Sequence, residues 1–416
     1  MSAASAAGDP AEGTIARDRL PAGVGRAIDA RVRAAIPVVA PAVSVAVFRD
    51  GDLVLDAAWG HADPETGTPA TPELRFDLAS LTKLLTATLV LRAVSAGRAG
   101  LDDPLAQAVP ELIGAGPRGV DGGQDPFDLV IAPAPATHAG LRVDPALPTV
   151  RQALAHISGL APWRALFLAA GPVPPAPPAP DPVGCAERRA AVLAAIGAAP
   201  FVDRPGAAIR YSDLGFILLG ELVRRRLAEG PDAELDALLA AHLAGPLGLA
   251  SVGYRPLAAG VARTRIAPTS VDLRWRGRRA WGEVEDENAA GLGGVSGHAG
   301  AFATARDVAA FGEAWRSGDP RLGIDPGLRA DAVRVVATEP GEARGLGWQL
   351  RPADGSGILG PLGADAYGHT GFTGTALAVD PGRRLVVAIL TNRVHAGRFT
   401  PGVDALQHDL HALLAG

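Results

Sequence analysis

Ser80 and Lys83, in the run Ser80-Leu-Thr-Lys83, are the first residues of this 416-residue chain whose types and spacing could do chemistry. They open an apolar stretch, residues 81–94, that stops at Gly97, so the spacing predicts a buried helix. Residues three apart on a helix share a face, which lets the amine reach the hydroxyl. An amine accepts a serine proton only after losing its own, and that requires desolvation or a nearby cation. The helix N-terminus also offers backbone N–H groups to a developing oxyanion. The bland alternative is a capping serine beside a lysine that snorkels to water. Composition weighs against it. Of the 39 Lys and Arg residues Lys83 is the sole lysine, and arginine cannot lose its proton in a protein.

Two further runs carry polar groups next to predicted element ends. Tyr211-Ser212-Asp213 precedes a helical pattern over residues 214–227, with Ser212 and Asp213 as capping types. A tyrosine there can shuttle protons, although a core tyrosine beside a cap would look the same. His369-Thr370-Gly371 and then Phe372-Thr-Gly374 precede a strand pattern. A cationic or hydrogen-bonding His369 could orient a substrate carbonyl or Tyr211, and a glycine lets an acyl group approach the strand. An ordinary turn before a strand is the competing reading.

Taken together and in order, Phe76-Asp-Leu-Ala-Ser-Leu-Thr-Lys83, Tyr211-Ser-Asp213 and Gly368-His-Thr-Gly371 resemble the penicillin-recognising serine hydrolases. The likeness is greatest to class C β-lactamases and the related esterases, D-amino-acid peptidases and muropeptide amidases. Leu101-Asp-Asp-Pro-Leu105, His156-Ile-Ser-Gly-Leu160, Leu346-Gly-Trp348 and Leu390-Thr-Asn-Arg393 extend the resemblance from about residue 40 to the C-terminus. It implies an α/β fold in which helices flank an antiparallel sheet, a helical lobe faces it, and the active site lies in the cleft. It also implies that Ser80 is acylated while Lys83 and Tyr211 share the proton transfer. The oxyanion would be held by the N–H groups of Ser80 and Phe372, with Thr370 and Gly371 beside the substrate. His369 stands where β-lactamases carry lysine, and Asp213 where they carry an asparagine that binds the side-chain amide of a β-lactam. Both departures count against an efficient β-lactamase. In Val284-Glu-Asp-Glu-Asn288, Glu285 replaces the histidine of a similar segment in muropeptide-recycling relatives.

The elements that must position these residues are also legible. Residues 22–36 have helical spacing. Alternating runs flank Asp50-Gly51, a strong hairpin signal, and two more flank Asp380-Pro-Gly382. Strands near both ends suggest one sheet assembled from residues 1–76 and 265–416, with residues 77–264 as the helical lobe and residues 403–414 as a covering helix. Residues 114–148 and the proline-rich 171–180 read as surface loops.

Bulk properties set the bounds. A net charge of −5 with no basic run excludes nucleic acid as an expected partner. One cysteine, Cys185, excludes an internal disulfide. No run reaches the roughly 20 apolar residues of a membrane helix, and the N-terminus lacks a secretion signal, so a cytoplasmic location is expected. His408 and His411 imitate a metal pair without a third ligand, and neither metal nor cofactor is expected. His156 and His298 read as turn-stabilising residues that could also line the cleft, and Trp163-Arg164 as part of a substrate wall or ordinary packing. The expected activity is hydrolysis of a small ester or amide, esterase-like first, then a muropeptide amidase or peptidase, then a weak β-lactamase. A non-catalytic scaffold of the same fold is the reading from another class. Nothing in the sequence bears on oligomeric state.

Overall fold

In strand β1 (Ala42–Arg49), Val43, Val45 and Val47 join one apolar cluster while Ala42 and Ala46 join another. That period of two places a sheet between two packed layers. The computed structural model describes residues 20–179, 181–230 and 233–416. The stretch read for a secretion signal, residues 1–19, lies outside the described residues, as does the last residue of the proline-rich loop. Asp50 and Gly51 take φ of 55° and 92°, the left-handed pair favoured in two-residue hairpins, and the chain returns as β2 (Asp52–Asp63). The sheet is completed by β3 (Thr68–Pro69), β4 (Ala337–Glu339), β5 (Glu342–Arg344), β6 (Gln349–Leu350), β7 (Tyr367–Gly371), β8 (Thr375–Asp380) and β9 (Leu385–Thr391). Its nine antiparallel strands run in the order β4-β5-β6-β7-β8-β9-β1-β2-β3. The N-terminal and C-terminal strands meet where β1 pairs with β9, Val45 opposite Ile389.

The helices that matter below are α1 (Val24–Ala35), α2 (Thr82–Ser95), α3 (Asp213–Leu227), α4 (Glu287–Gly291), α5 (Ala305–Ser317) and α6 (Val403–Ala415). Ile28 and Val32 of α1 and Leu406 and Leu410 of α6 cover the valine face of the sheet. Each valine so buried contributes roughly 1.5–3 kcal/mol relative to exposure. The opposite face takes α5, where a Cβ added at Gly312 would lie 2.7 Å from Val386 Cγ1. Beyond it, α2 and α3 join the same apolar cluster. Every residue of α2 from Thr82 to Leu91 is buried, as its apolar sequence predicts. Gly97 follows it with φ of 67°. Ser212 caps α3 by accepting a hydrogen bond from Gly215 N. Residues 114–148 are mainly loop, with one short strand pair between Arg118–Gly119 and Arg142–Val143. No helix among the described residues is long and apolar enough to cross a membrane.

Candidate active site

Ser80 sits in a 3-10 turn, Ala79–Leu81, that runs directly into α2. Ala79 before it is left-handed at φ 46°, a conformation that strains an L side chain and needs outside support. That support is dense. Ala79 N donates to Asp77 Oδ1 at 2.8 Å, and the carbonyls of Asp77 and Leu78 accept from Thr373 Oγ1 at 2.7 Å and Thr375 Oγ1 at 3.0 Å. Gly371, at the end of β7, lies against the same turn, so an added Cβ would come within 2.6 Å of Leu78 O. The same Cβ would lie 3.3 Å from Ala79 Cβ, and Ser80 and Phe372, which follow Ala79 and Gly371, both line the cleft. Their N–H groups are the pair expected to hold an oxyanion. Gly374 N bonds to Gly371 O and closes the turn that carries Phe372. Thr370, half-buried on β7, pairs with Ala376.

Lys83 Nζ donates to Ser80 Oγ at 2.9 Å, as the spacing predicts, and to His298 O at 3.1 Å. Its third neighbour changes the expectation. Asp213 Oδ1 lies 2.7 Å from Nζ, so the aspartate, which also lines the cavity, forms an ion pair with Lys83. Burial pushes the Lys83 ammonium toward losing its proton, but the charge of Asp213, followed by Tyr211, outweighs it and raises the pKa above the ordinary lysine value. Burial therefore does not leave the resting amine neutral, as desolvation alone would.

Tyr211 reaches Lys83 from the start of α3, with Nζ 4.9 Å from its ring centroid. His156 packs on the other side at 4.3 Å between centroids, and its Nδ1 accepts from Ser212 N at 2.9 Å. With φ of 59°, His156 is the turn residue expected, and it also sets the tyrosine. Of the two roles expected of His369, the cationic one is disfavoured. It is 2% exposed, and burial followed by the charges of Arg344 and Lys83 lowers its pKa to about 3. Its Nδ1 lies 2.7 Å from Thr370 O, a carbonyl that can only accept, so the ring is a neutral Nδ1–H tautomer. Its centroid lies 5.9 Å from that of Tyr211, behind the cleft wall rather than at its surface.

Above Ser80 opens a cavity of about 290 Å³ lined by Trp163, Tyr211, Phe372 and His298 among others. Trp163 is thus a wall residue, whereas Arg164 is buried in an ion pair with Asp121. Gln124, Pro126 and Phe127 also line the cavity, so part of the 114–148 loop does not stay on the outer surface. Arg274 holds that loop by donating to Pro126 O and Phe127 O, and it shares Glu287 with Arg398. The guanidinium of Arg398 lies 5.4 Å from the Phe372 ring. Nothing in the local sequence near Phe127 or Arg398 signals this meeting.

The 284–288 segment forms the far wall. Asp286 caps α4 and accepts from His298 at 2.9 Å. Burial alone would raise its pKa, yet the charge and hydrogen bond of His298 pull it well below the usual carboxylate range. Glu285, in the histidine's place, accepts from Ser270 Oγ at 2.6 Å, and its N–H donates to Asp77 Oδ2 at 2.6 Å. Asp77, pushed up to about 7 by complete burial against these N–H bonds, thus ties the Ser80 turn to the wall. It stands in the first motif, three residues before Ser80, but its task depends on a backbone 208 residues away. Asp213, Asp286 and His298 present ligand atoms within 4.8 Å of one another. The Lys83 ammonium already sits against Asp213 and would repel a dication, so the group does not suit a metal. His408 is exposed while His411 is buried with Nδ1 on Ile358 O, so the two do not form a pair.

A family model described as Beta-lactamase matches residues 30–412. A Salmonella agona protein named "Putative D-alanyl-D-alanine carboxypeptidase" is 26% identical over 388 residues, covering 88% of this chain and 81% of that protein. Among solved structures, EstCE1, a hydrolase with promiscuous acyltransferase activity, superposes with a TM-score of 0.67 at 19% identity over 94% of this chain and 98% of its own. The octameric penicillin-binding protein homologue from Pyrococcus abyssi gives 0.65 at 20% identity, covering 94% of this chain and 77% of that one. At these identities the structural likenesses establish the fold.

Proposed function

Because the chain belongs to the beta-lactamase family, we propose that it is a serine hydrolase that cleaves a small ester through an acyl-enzyme on Ser80. The observation that carries this reading is the 2.9 Å contact of Lys83 Nζ with Ser80 Oγ at the floor of an aromatic-walled cavity. Ser80 attacks the carbonyl, the N–H groups of Ser80 and Phe372 take the oxyanion, and Tyr211 and Lys83 pass the proton to the leaving group. Water then releases the acyl group. The apolar walls suit a short acyl or alkoxy group, and Asp213, a carboxylate without a donor, offers nothing to the amide carbonyl of a β-lactam side chain.

A peptidase acting on D-alanyl peptides is the second reading, favoured by the name of the Salmonella relative. Treating the protein with a fluorophosphonate and weighing it intact tests the class. One adduct is expected, absent in Ser80→Ala. A chain that takes no adduct is a scaffold. Short-chain nitrophenyl esters, a D-Ala-D-Ala peptide and a chromogenic cephalosporin then rank the substrates, with the ester expected first. Faster turnover of the cephalosporin or the peptide would reverse the order.

A further inference from the structure

Resting on that reading of Ser80, we propose that the substrate is an ester with one long apolar chain, which leaves the cavity across an apron formed by Phe372, Phe127 and Phe399. These are the three most exposed of the chain's ten phenylalanines, at 37%, 40% and 72%. They meet at one place. Phe372 and Phe127 line the cavity above Ser80, and Phe399, outside it, stacks on Phe127 with 4.6 Å between ring centroids. The Arg398 guanidinium lies 5.4 Å from the Phe372 ring and 6.0 Å from the Phe127 ring, so it joins the two walls. A row of flat faces therefore runs from the cavity to the surface. Exposure of this kind does not serve folding, because each ring forgoes burial. Contiguous apolar surface at the rim of a cavity marks a ligand site.

Size selects the occupant. The exposed parts of the three rings amount to on the order of 300 Å². A stable protein interface takes roughly 800 Å² from each partner. The apron is too small for a protein and suits a single alkyl chain.

Charge selects in the same direction. Arg398 donates to both carboxylate oxygens of Glu287 and lies 3.5 Å from Glu285 Oε1, and Arg274 also bonds Glu287. Two guanidiniums thus meet two carboxylates at the rim. Arg393, 5.0 Å from the Phe372 ring, donates to the carbonyls of Arg398 and Thr400 and does not line the cavity. The rim is balanced in charge, which favours a neutral chain over one that ends in a carboxylate. The short group of the ester stays within the apolar walls while the long one crosses to Phe399. The covalent steps are unchanged, and the chain adds binding alone.

Two series of esters test this, each compound used below the concentration at which it aggregates. Nitrophenyl esters from acetate to octanoate lengthen the acyl side, and acetates from methyl to octyl lengthen the alkoxy side. In at least one series kcat/KM should rise about 2–4-fold per added methylene, the larger figure corresponding to complete burial. The series that rises identifies the chain that crosses the apron. Values that are flat or falling beyond four carbons in both series overturn the proposal. The ratio of kcat/KM for the octyl or octanoyl ester to that for the shortest ester reads the apron separately, since changes in folded fraction cancel. Phe399 is exposed, so its substitution leaves the fold in place. Phe399→Ser should lower the ratio about 3–10-fold, whereas Phe399→Leu, which keeps an apolar side chain, should stay within about 2-fold of wild type. An unchanged ratio in Phe399→Ser overturns the proposal, and so does a Phe399→Leu ratio as low as that of Phe399→Ser. If Ser80 takes no fluorophosphonate and no ester is turned over, the serine-hydrolase reading falls and the inference with it. Turnover of short esters without any preference for chain length sinks the inference alone.

Discussion

At the back of the cleft, Ser80, Lys83 and Tyr211 are held by regular elements, with Lys83 hidden from water behind the other two, which line the cavity. α2 is buried from Thr82 to Leu91, the β7–β8 turn bonds to the Ser80 turn, and Lys83 is fully buried between Asp213 and His298 O. At the mouth the frame is a set of arginine–carboxylate pairs. Arg398 and Arg274 share Glu287, and Arg274 also reaches the loop at Phe127. Arg398 and Arg274 remain partly exposed, at 24% and 34% of their side chains, while Lys83 is at 0%. The same charge chemistry thus has different consequences in the two places. In the dry back one carboxylate meets one amine and biases its protonation state, whereas at the mouth the buried Glu287 is shared by two arginines that reach solvent, so either can compensate for the other.

That contrast can be broken experimentally. Lys83→Arg keeps the cation and removes any lone pair, so kcat/KM for a short-chain ester should fall by about 10²–10⁴-fold. Turnover that survives the exchange would mean Lys83 is not the base and the back of the cleft is ordinary packing. Gly371→Ala puts a methyl group against Leu78 O and Thr375 Oγ1. It should cost roughly 1–3 kcal/mol in chemical denaturation and slow acylation as the nucleophile turn shifts. A neutral effect would show that the turn and β7 are not locked together. Arg398→Ala should do least, because Arg274 still holds Glu287. About 1 kcal/mol at most, a rise of up to ~5-fold in KM that shrinks further in salt, is expected. A loss as large as that of Lys83→Arg would erase the distinction between mouth and back.

The back of the cleft was legible because its signals are local. Ser80 and Lys83 are three apart, Ser212 caps the helix it precedes, and Asp50-Gly51 turns the hairpin. The mouth was not. Arg274 meets Phe127 across 147 positions and Arg398 meets Glu287 across 111, and arginines are frequent throughout this chain. Phe127 was read as loop because glycine and proline around it mask any periodicity. Asp213 and His369 show a subtler gap, since both positions were legible and their electrical states were not.

By itself the sequence determined the two-ended sheet, the buried helix behind Ser80 and the closeness of Ser80 and Lys83, because alternation, helical spacing and a lone lysine act over a few residues. Only the tertiary structure decided that Asp213 spends its charge on Lys83, that His369 is neutral, and that Asp77 binds the Ser80 turn to the far wall. Those outcomes depend on which groups from distant segments share a space without water, where burial and a single opposite charge compete on nearly equal terms.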